Sequence, residues 1–252
     1  MEDLKTAAEM EETATAPSGA AKPRKSEQTR AKILEAALEL FRERGYEEAT
    51  MRAIAEKAGV ALGNAYYYFK SKEHLIQAFY ARTHEEHVAA SREVLDQEKG
   101  LRERLLGVMR AKLDTIMPYH QFAGILFKTA ANPASPLNPF SEESLPVRRQ
   151  ATEIFAEVVA GSDTRLTADL AAELPDILWI YQAGVILYWI HDTSPGCAKS
   201  YRLMERSVKL VLRLVSLFQF PLLRPFLREL LALVADLRLG PASAAVAVQT
   251  VE

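Results

Sequence analysis

The chain has 252 residues, 25% of them charged and 49% hydrophobic, with a net charge of −2. This length can bury a small domain and a larger one with its own core. A single cysteine, Cys197, excludes an internal disulfide framework and fits a reducing cytoplasm, and the N-terminus lacks the apolar core of a signal peptide.

In chain order, residues 1–25 are acidic and then basic (AAKPRK), with Pro17, Gly19 and Pro23, and read as a disordered arm. A solvated tail is the plainer account of it, although Lys22, Arg24 and Lys25 could touch a minor groove. A helix is predicted over 29–46 (TRAKILEAALELFRERGY). Thr50 then precedes the apolar-periodic run Met51, Ile54, Ala55, Ala58, where threonine is a favoured N-cap. Gly59 follows the last helical residue, a place that calls for a left-handed conformation, and Val60 packs back into the core. The small Ala55 and Ala58 let the next helix cross closely. That helix, over 62–69, has Ala65 and Phe69 four apart for one buried face. Leu62, Asn64, Tyr66 and Tyr67 are left pointing elsewhere.

A packed domain gains little from placing Asn64, Tyr66 and Tyr67 on one short helix, whereas a helix that must fit a DNA groove gains much. The pattern therefore reads as a helix-turn-helix whose second helix enters the major groove. Tyrosine hydroxyls suit phosphate oxygens, which position a protein without reading sequence. Asn64 is the best base-reading candidate, because its amide can bond an adenine edge through both atoms. Arg52, on the first helix of the motif, is a further candidate contact.

These residues resemble the DNA-binding domain of the TetR family of bacterial transcriptional regulators. The shared features are the helix ending in GY, the threonine before MRAIAEKAGV, Gly63 inside the second helix, and YYYFKSKEHL at 66–75. The resemblance covers about residues 26–80, with the helix-turn-helix at about 50–69. It implies phosphate contacts from Thr50, Tyr66, Tyr67 and Lys72, and base contacts from Ala61, Leu62, Gly63 and Asn64. Members often carry a hydroxyl residue where Ala61 stands and a polar or basic one where Leu62 stands. Readout here would then lean on apolar contact with thymine methyls. Residues 22–75 hold eleven Lys and Arg against eight acids, while residues 1–21 hold one Lys against five acids. The positive part is the part that would meet phosphate.

The rest reads as helix: 72–97, 101–117, 120–131, 146–160, 167–191, 198–220 and a last one beyond Pro221, with no strand alternation. The expected fold is all-α, a three-helix DNA-binding domain followed by a larger helical domain over 81–235 and a flexible tail over 236–252. Residues 132–144, with Pro133, Pro136 and Pro139, form the main irregular loop, and Pro175 marks a helix start or kink. The apolar run 177–190, broken only by Gln182, is shorter than the roughly 20 residues of a membrane span, and reads as a buried helix.

Dimerisation and sensing are expected of the second domain. The helix over 167–191 is apolar all round, so one face needs a partner. The helix over 198–220 has two apolar stripes: Met204, Val208, Val211, Val215 and Phe218, and Leu203, Leu210, Leu214 and Leu217. Ile186, Trp189, Met204, Val208, Val211 and Val215 are the dimer-interface candidates, in a four-helix interface such as the family uses. Pocket candidates are Met109, Leu113, Met117, Phe122, Phe127, Phe155, Trp179 and Tyr181, with Tyr119, Leu126 and Tyr188 beside them. Simple core is the competing account of each. An apolar or aromatic effector is expected, because no Arg/Lys cluster falls within these stripes. The helix over 72–97 is the expected lever between the two sites.

No enzyme, cofactor or membrane association is expected. His84 and His87 flank two glutamates, but their i, i+3 spacing on a charged face reads as solvent exposure rather than a metal site. The reading is thus a cytoplasmic, nucleoid-associated homodimeric repressor that binds a double-stranded DNA operator and is released by an unknown small molecule. The alternative is a helical dimeric adaptor that keeps the helix-turn-helix shape without specific DNA binding.

Overall fold

The computed structural model describes residues 25–223 and, beyond them, 225, 226, 229 and 232. Among these residues every regular element is a helix: α1 (Lys25–Arg44), α2 (Met51–Lys57), α3 (Leu62–Tyr68), α4 (Lys72–Gln97), α5 (Leu101–Ile116), α6 (His120–Ala130), α7 (Leu145–Ala160), α8 (Ala168–Ile190) and α9 (Ala198–Leu217). α1 begins four residues before the expected position 29, so that Lys25, assigned to the arm, opens it. Lys22 and Arg24 lie outside the described residues, as do the tail over 236–252 and most of the helix expected beyond Pro221, where a short 3-10 turn Pro221–Leu223 follows.

Two cores organise the helices. In the first, Ile33, Leu34, Ala37, Leu38 and Phe41 recur at helical spacing along α1 and meet Ile54 and Ala55 of α2, Ala65 and Phe69, and Leu75, Ile76 and Phe79 of α4. α6 joins this core, with Phe122, Leu126 and Ala130 buried in it. The Phe122 ring stacks on Phe41 with centroids 5.7 Å apart. The second core is built by Leu95 of α4 with α5, α7, α8 and α9, and includes Leu105, Met109, Phe155, Leu178, Trp189 and Val208.

Buried polar groups tie helix ends together. Arg104 of α5 is 4% exposed, and its guanidinium donates to the carbonyls of Leu95 (2.5 Å), Glu98 (2.8 Å), Glu157 (2.7 Å) and Val158 (3.0 Å). These carbonyls close the last turns of α4 and α7, where a cation also complements the helix dipoles.

Asp192, between α8 and α9, accepts from Ser194 N and Oγ (2.9 and 2.6 Å) and from Ser200 N and Oγ (2.8 and 2.7 Å). This holds the turn in which Gly196 and Cys197 take positive φ. The four donors outweigh desolvation and hold its carboxyl well below its ordinary pKa. A lowered folded-state pKa contributes stability above the unfolded value of 3.8 that is lost as pH falls below it. Asp192→Asn is expected to cost about 1–3 kcal/mol in urea unfolding at pH 7. That deficit should shrink at pH 3 and below; a deficit independent of pH would contradict this role.

α8 agrees with the helix expected over 167–191 and extends well beyond the apolar run 177–190. Its 23 residues are long and apolar enough, by length and composition alone, to cross a membrane. The reason is that Leu170, Leu174 and several alanines extend the apolar stretch towards Thr167, whose hydroxyl caps the helix by accepting from Leu170 N. Pro175 does not start the helix, since α8 runs through it. Leu170, Leu174, Leu178, Val185 and Trp189 pack into the second core.

Candidate nucleic-acid interface and interior cavity

The α2–turn–α3 unit follows from short-range chemistry. Thr50 takes an extended conformation and its hydroxyl accepts from Ala53 N at 3.2 Å. Gly59 adopts φ +67°, and the next amide, Val60 N, returns to Ala55 O at 3.0 Å to close the helix end. Ala61 is the N-cap of α3 and offers no side-chain cap. Ala65 and Phe69, 0% and 2% exposed, anchor α3 to the first core.

Anchoring through that face leaves the opposite one free. Gly63 and Asn64 are exposed, Tyr66 is 48% exposed and Tyr67 80%. Gly63, Tyr66 and Tyr67 stand at i, i+3 and i+4 and share a side of the helix. Leu62 is the exception among the expected contacts, half-buried against the core. A Cβ at Gly63 would meet nothing within 4 Å, so nothing inside the chain requires glycine there. Thr50 and Arg52 are exposed beside α3. Lys72 is braced, its Nζ donating to Tyr46 O at 2.7 Å and Glu47 O at 3.3 Å and lying 4.3 Å from the centre of the Tyr46 ring. One of its three ammonium donors is left over.

A cavity of about 380 Å³ lies among α4, α5, α6, α7, α8 and the 132–144 loop. Of the eight pocket residues expected from sequence, Phe127 and Trp179 line it. Met109, Leu113 and Phe155 are at most 1% exposed in the second core. Phe122 is in the first core, and Met117 borders a separate polar cleft with His120 and Asp192. Tyr181 points to α9, its hydroxyl 2.6 Å from Ser207 Oγ. Ile186, expected at the dimer face, lines the cavity instead.

Sequence reasoning missed the polar wall formed by Tyr80, His84, Lys112 and Arg148. The available signal was Lys112 itself, one turn beyond buried Val108 on the core-facing side of α5. His84 is half-buried here rather than solvated, and burial and Lys112 lower its pKa. His87 is buried 2.9 Å from Val108 O, with its pKa lowered by desolvation to about 3. No cluster of metal-ligating side chains occurs among the described residues.

The two stripes of α9 separate cleanly. Met204, Val208 and Val215 are taken up by the chain's own core, and Val211 is half-buried. Trp189 is 1% exposed, packed on the His120 ring at 4.8 Å. The outward apolar residues are Leu203, Leu210, Leu214 and Leu217 on α9, with Ile180 and Tyr188 on α8 and Leu187 at the cavity rim.

Known proteins share both halves of this architecture. Residues 33–79 match the family described as Bacterial regulatory proteins, tetR family. Residues 104–234 match the family described as Tetracyclin repressor-like, C-terminal domain. The chain is 41% identical over 68 residues to the HTH-type transcriptional regulator UidR of Escherichia coli, covering 27% of this chain and 35% of the relative. It is 33% identical over 91 residues to the HTH-type transcriptional repressor KstR2 of Mycobacterium tuberculosis, covering 36% and 46% respectively. The chain thus spans between a third and a half of the length of these curated relatives. The fold matches a TetR transcriptional regulator from Nitrosomonas europaea with a TM-score of 0.58 at 16% identity, over 73% of this chain and 97% of that one. It also matches the regulator FadR from Bacillus subtilis, solved in complex with stearoyl-CoA, with a TM-score of 0.56 at 18% identity, over 69% and 95%. A matched C-terminal domain that spans half the chain, behind a matched N-terminal one, places this chain in the TetR family of bacterial regulatory proteins.

Proposed function

We propose that this protein is a sequence-specific DNA-binding repressor that occupies a pseudo-palindromic operator as a homodimer and leaves it when a small ligand fills the cavity. It would act in the cytoplasm, at the nucleoid. The observation that carries the reading is the outer face of α3, where Gly63, Asn64, Tyr66 and Tyr67 stand exposed outside the core. Thr50 can cap α2 with its oxygen while donating its hydroxyl hydrogen to a phosphate. Tyr66, Tyr67, Arg52 and the remaining Lys72 donor would hold the backbone, leaving Asn64 and the apolar Ala61–Leu62 edge to meet bases.

Selection of bound sequences from random duplex DNA tests this at near-physiological salt. A two-fold symmetric motif is expected, with half-sites about 34–36 Å apart or a little more. No enrichment by folded, dimeric protein would favour the adaptor instead. Against the selected operator, Tyr66→Phe and Lys72→Ala should weaken binding to all sequences alike. Asn64→Ala should relax discrimination at one base position by about 1–3 kcal/mol. An unchanged preferred sequence would remove Asn64 from base reading.

The outward leucines of α9 and the Ile180 and Tyr188 face of α8 would meet their symmetry mates in a four-helix interface. Gly184 lies within that α8 face and lets a facing helix come close, since its Cβ would meet nothing of its own chain. Leu210→Glu is expected to shift the protein to monomer in sedimentation velocity at micromolar concentration, and unaltered dimerisation would place the interface elsewhere.

Coupling has a short route. Tyr80 and Thr83 of α4 and Phe127 of α6 line the cavity, and both helices also pack on α1. Arg82 of α4 is bonded to Glu35 of α1 and to Tyr119 Oη, the latter at 3.0 Å. A ligand that prefers a different spacing of these helices shifts the population off DNA, and a hundredfold loss of affinity needs only about 2.7 kcal/mol of coupling.

A further inference from the structure

We infer that the interior cavity takes an apolar monocarboxylate, its carboxylate paired with Lys112 and its hydrocarbon or aryl body along Phe127, Trp179, Ile186 and Ile190. The inference rests on the ligand-responsive reading above and gives that ligand a chemical class.

Lys112 carries the argument. It is half-buried and lines the cavity from α5. No carboxylate lies within 4.0 Å of its ammonium among the described residues. Burial lowers its pKa to about 8, and only the more distant charge of Glu86 opposes that shift. A buried ammonium without a counter-ion is costly, and an anion entering the cavity would remove the cost.

The other polar groups limit the ligand to one charge. Arg148 keeps its charge, but it donates to Pro139 O at 2.7 Å and already has the opposite charge of Asp176 acting on it. His84 stands in the same wall with its pKa depressed, partly by Lys112 itself, so it adds no second cation at neutral pH. Glu143, exposed at the edge of the cavity, would repel a second anionic group. The remaining wall is mostly apolar, with the uncharged Gln77, Thr83, Ser144 and Gln182 beside Tyr80 as its polar groups, and the volume of about 380 Å³ falls in the usual range of about 300–1,000 Å³ for small-molecule sites. The absence of a basic cluster in the apolar stripes spoke for an apolar or aromatic ligand over a multiply charged one. The single lysine on the cavity wall adds one charge to that expectation.

Binding to the full-length protein can be followed by calorimetry and by the fluorescence of Trp179 in the cavity wall. The probes are decanoate and 4-phenylbutanoate, each compared with the corresponding primary alcohol and amine. At pH 7 each acid should bind at least about tenfold more tightly than its alcohol or amine. Lys112→Met should abolish that preference, keep alcohol binding, and melt at the same or a higher temperature because an unpaired buried charge is gone.

A paired ammonium holds its proton more tightly than the free one. Acid affinity should therefore fall as pH rises through about 8 in the wild type, and not in Lys112→Met. The other groups around Lys112 are His84, Glu86 and His87 of α4, Glu153 and Arg148 of α7, and Glu143. The depressed histidines titrate below that window. Equal binding of acid and alcohol, or a preference that survives Lys112→Met, would overturn the inference and leave the cavity as a ligand site. If no probe of either class bound, the ligand-responsive reading would fall with it.

Discussion

Gly63→Ala is expected to leave the fold as stable as before, or more so, while weakening operator binding at least tenfold. The two effects separate because they have different causes. Within the protein a methyl group at this position meets nothing, and alanine is the better helix former by about 0.5–1 kcal/mol. Thermal unfolding should therefore move upward by a small amount or not at all. On DNA, Gly63 shares its side of α3 with Tyr66 and Tyr67, where the backbone would approach the groove most closely. A tenfold loss corresponds to about 1.4 kcal/mol, which one methyl group against a rigid groove wall readily costs. Fluorescence anisotropy with the selected operator reads one effect and calorimetry of the free protein reads the other. Affinity unchanged beside a raised melting temperature would mean that α3 does not enter a groove by this face.

Arg104→Met is expected to destabilise the folded protein by about 3–5 kcal/mol, because it takes the donor away from four carbonyls at once. The guanidinium satisfies four carbonyls in the last turns of α4 and α7 and is itself buried. Lysine is no substitute, since a point ammonium cannot match four acceptors spread around a planar fork. Arg104→Lys should therefore recover less than half of the loss. Gly161 supports the same arrangement: a Cβ there would collide with the guanidinium, so Gly161→Ala should be destabilising although its φ of −84° suits any residue. Urea unfolding at pH 7 measures all three variants. A loss below 1 kcal/mol for Arg104→Met would mean that the helix ends find other donors.

The candidate interface was legible because its determinants are local. Thr50 capping Ala53, Gly59 reversing the chain, and Ala65 and Phe69 sharing a face are relations within four residues, and they fix which side of α3 remains outside. The all-helical fold was legible for the same reason, with boundaries moved by a few residues where no strong cap marks them, as at the start of α1.

The roles of the apolar residues in the second domain were not decided locally. Met109, Phe122, Phe155, Phe127 and Trp179 look alike in sequence, each a large side chain at helical spacing. Only the arrangement of α4–α8 makes three of them core and two of them cavity wall. α9 presents the same problem, because periodicity reveals two stripes without saying which faces inward. α6 could not be assigned to the DNA-binding half, since Phe122 meets Phe41 across about eighty residues of chain. By itself the sequence determined the helices, the turn and the face of α3 left exposed, through hydrogen bonds and spacing within a turn or two. The tertiary structure decided which residues enclose the cavity, which stripe of α9 is left outside, and that Lys112 meets a cavity rather than water, because each depends on what a distant helix places opposite.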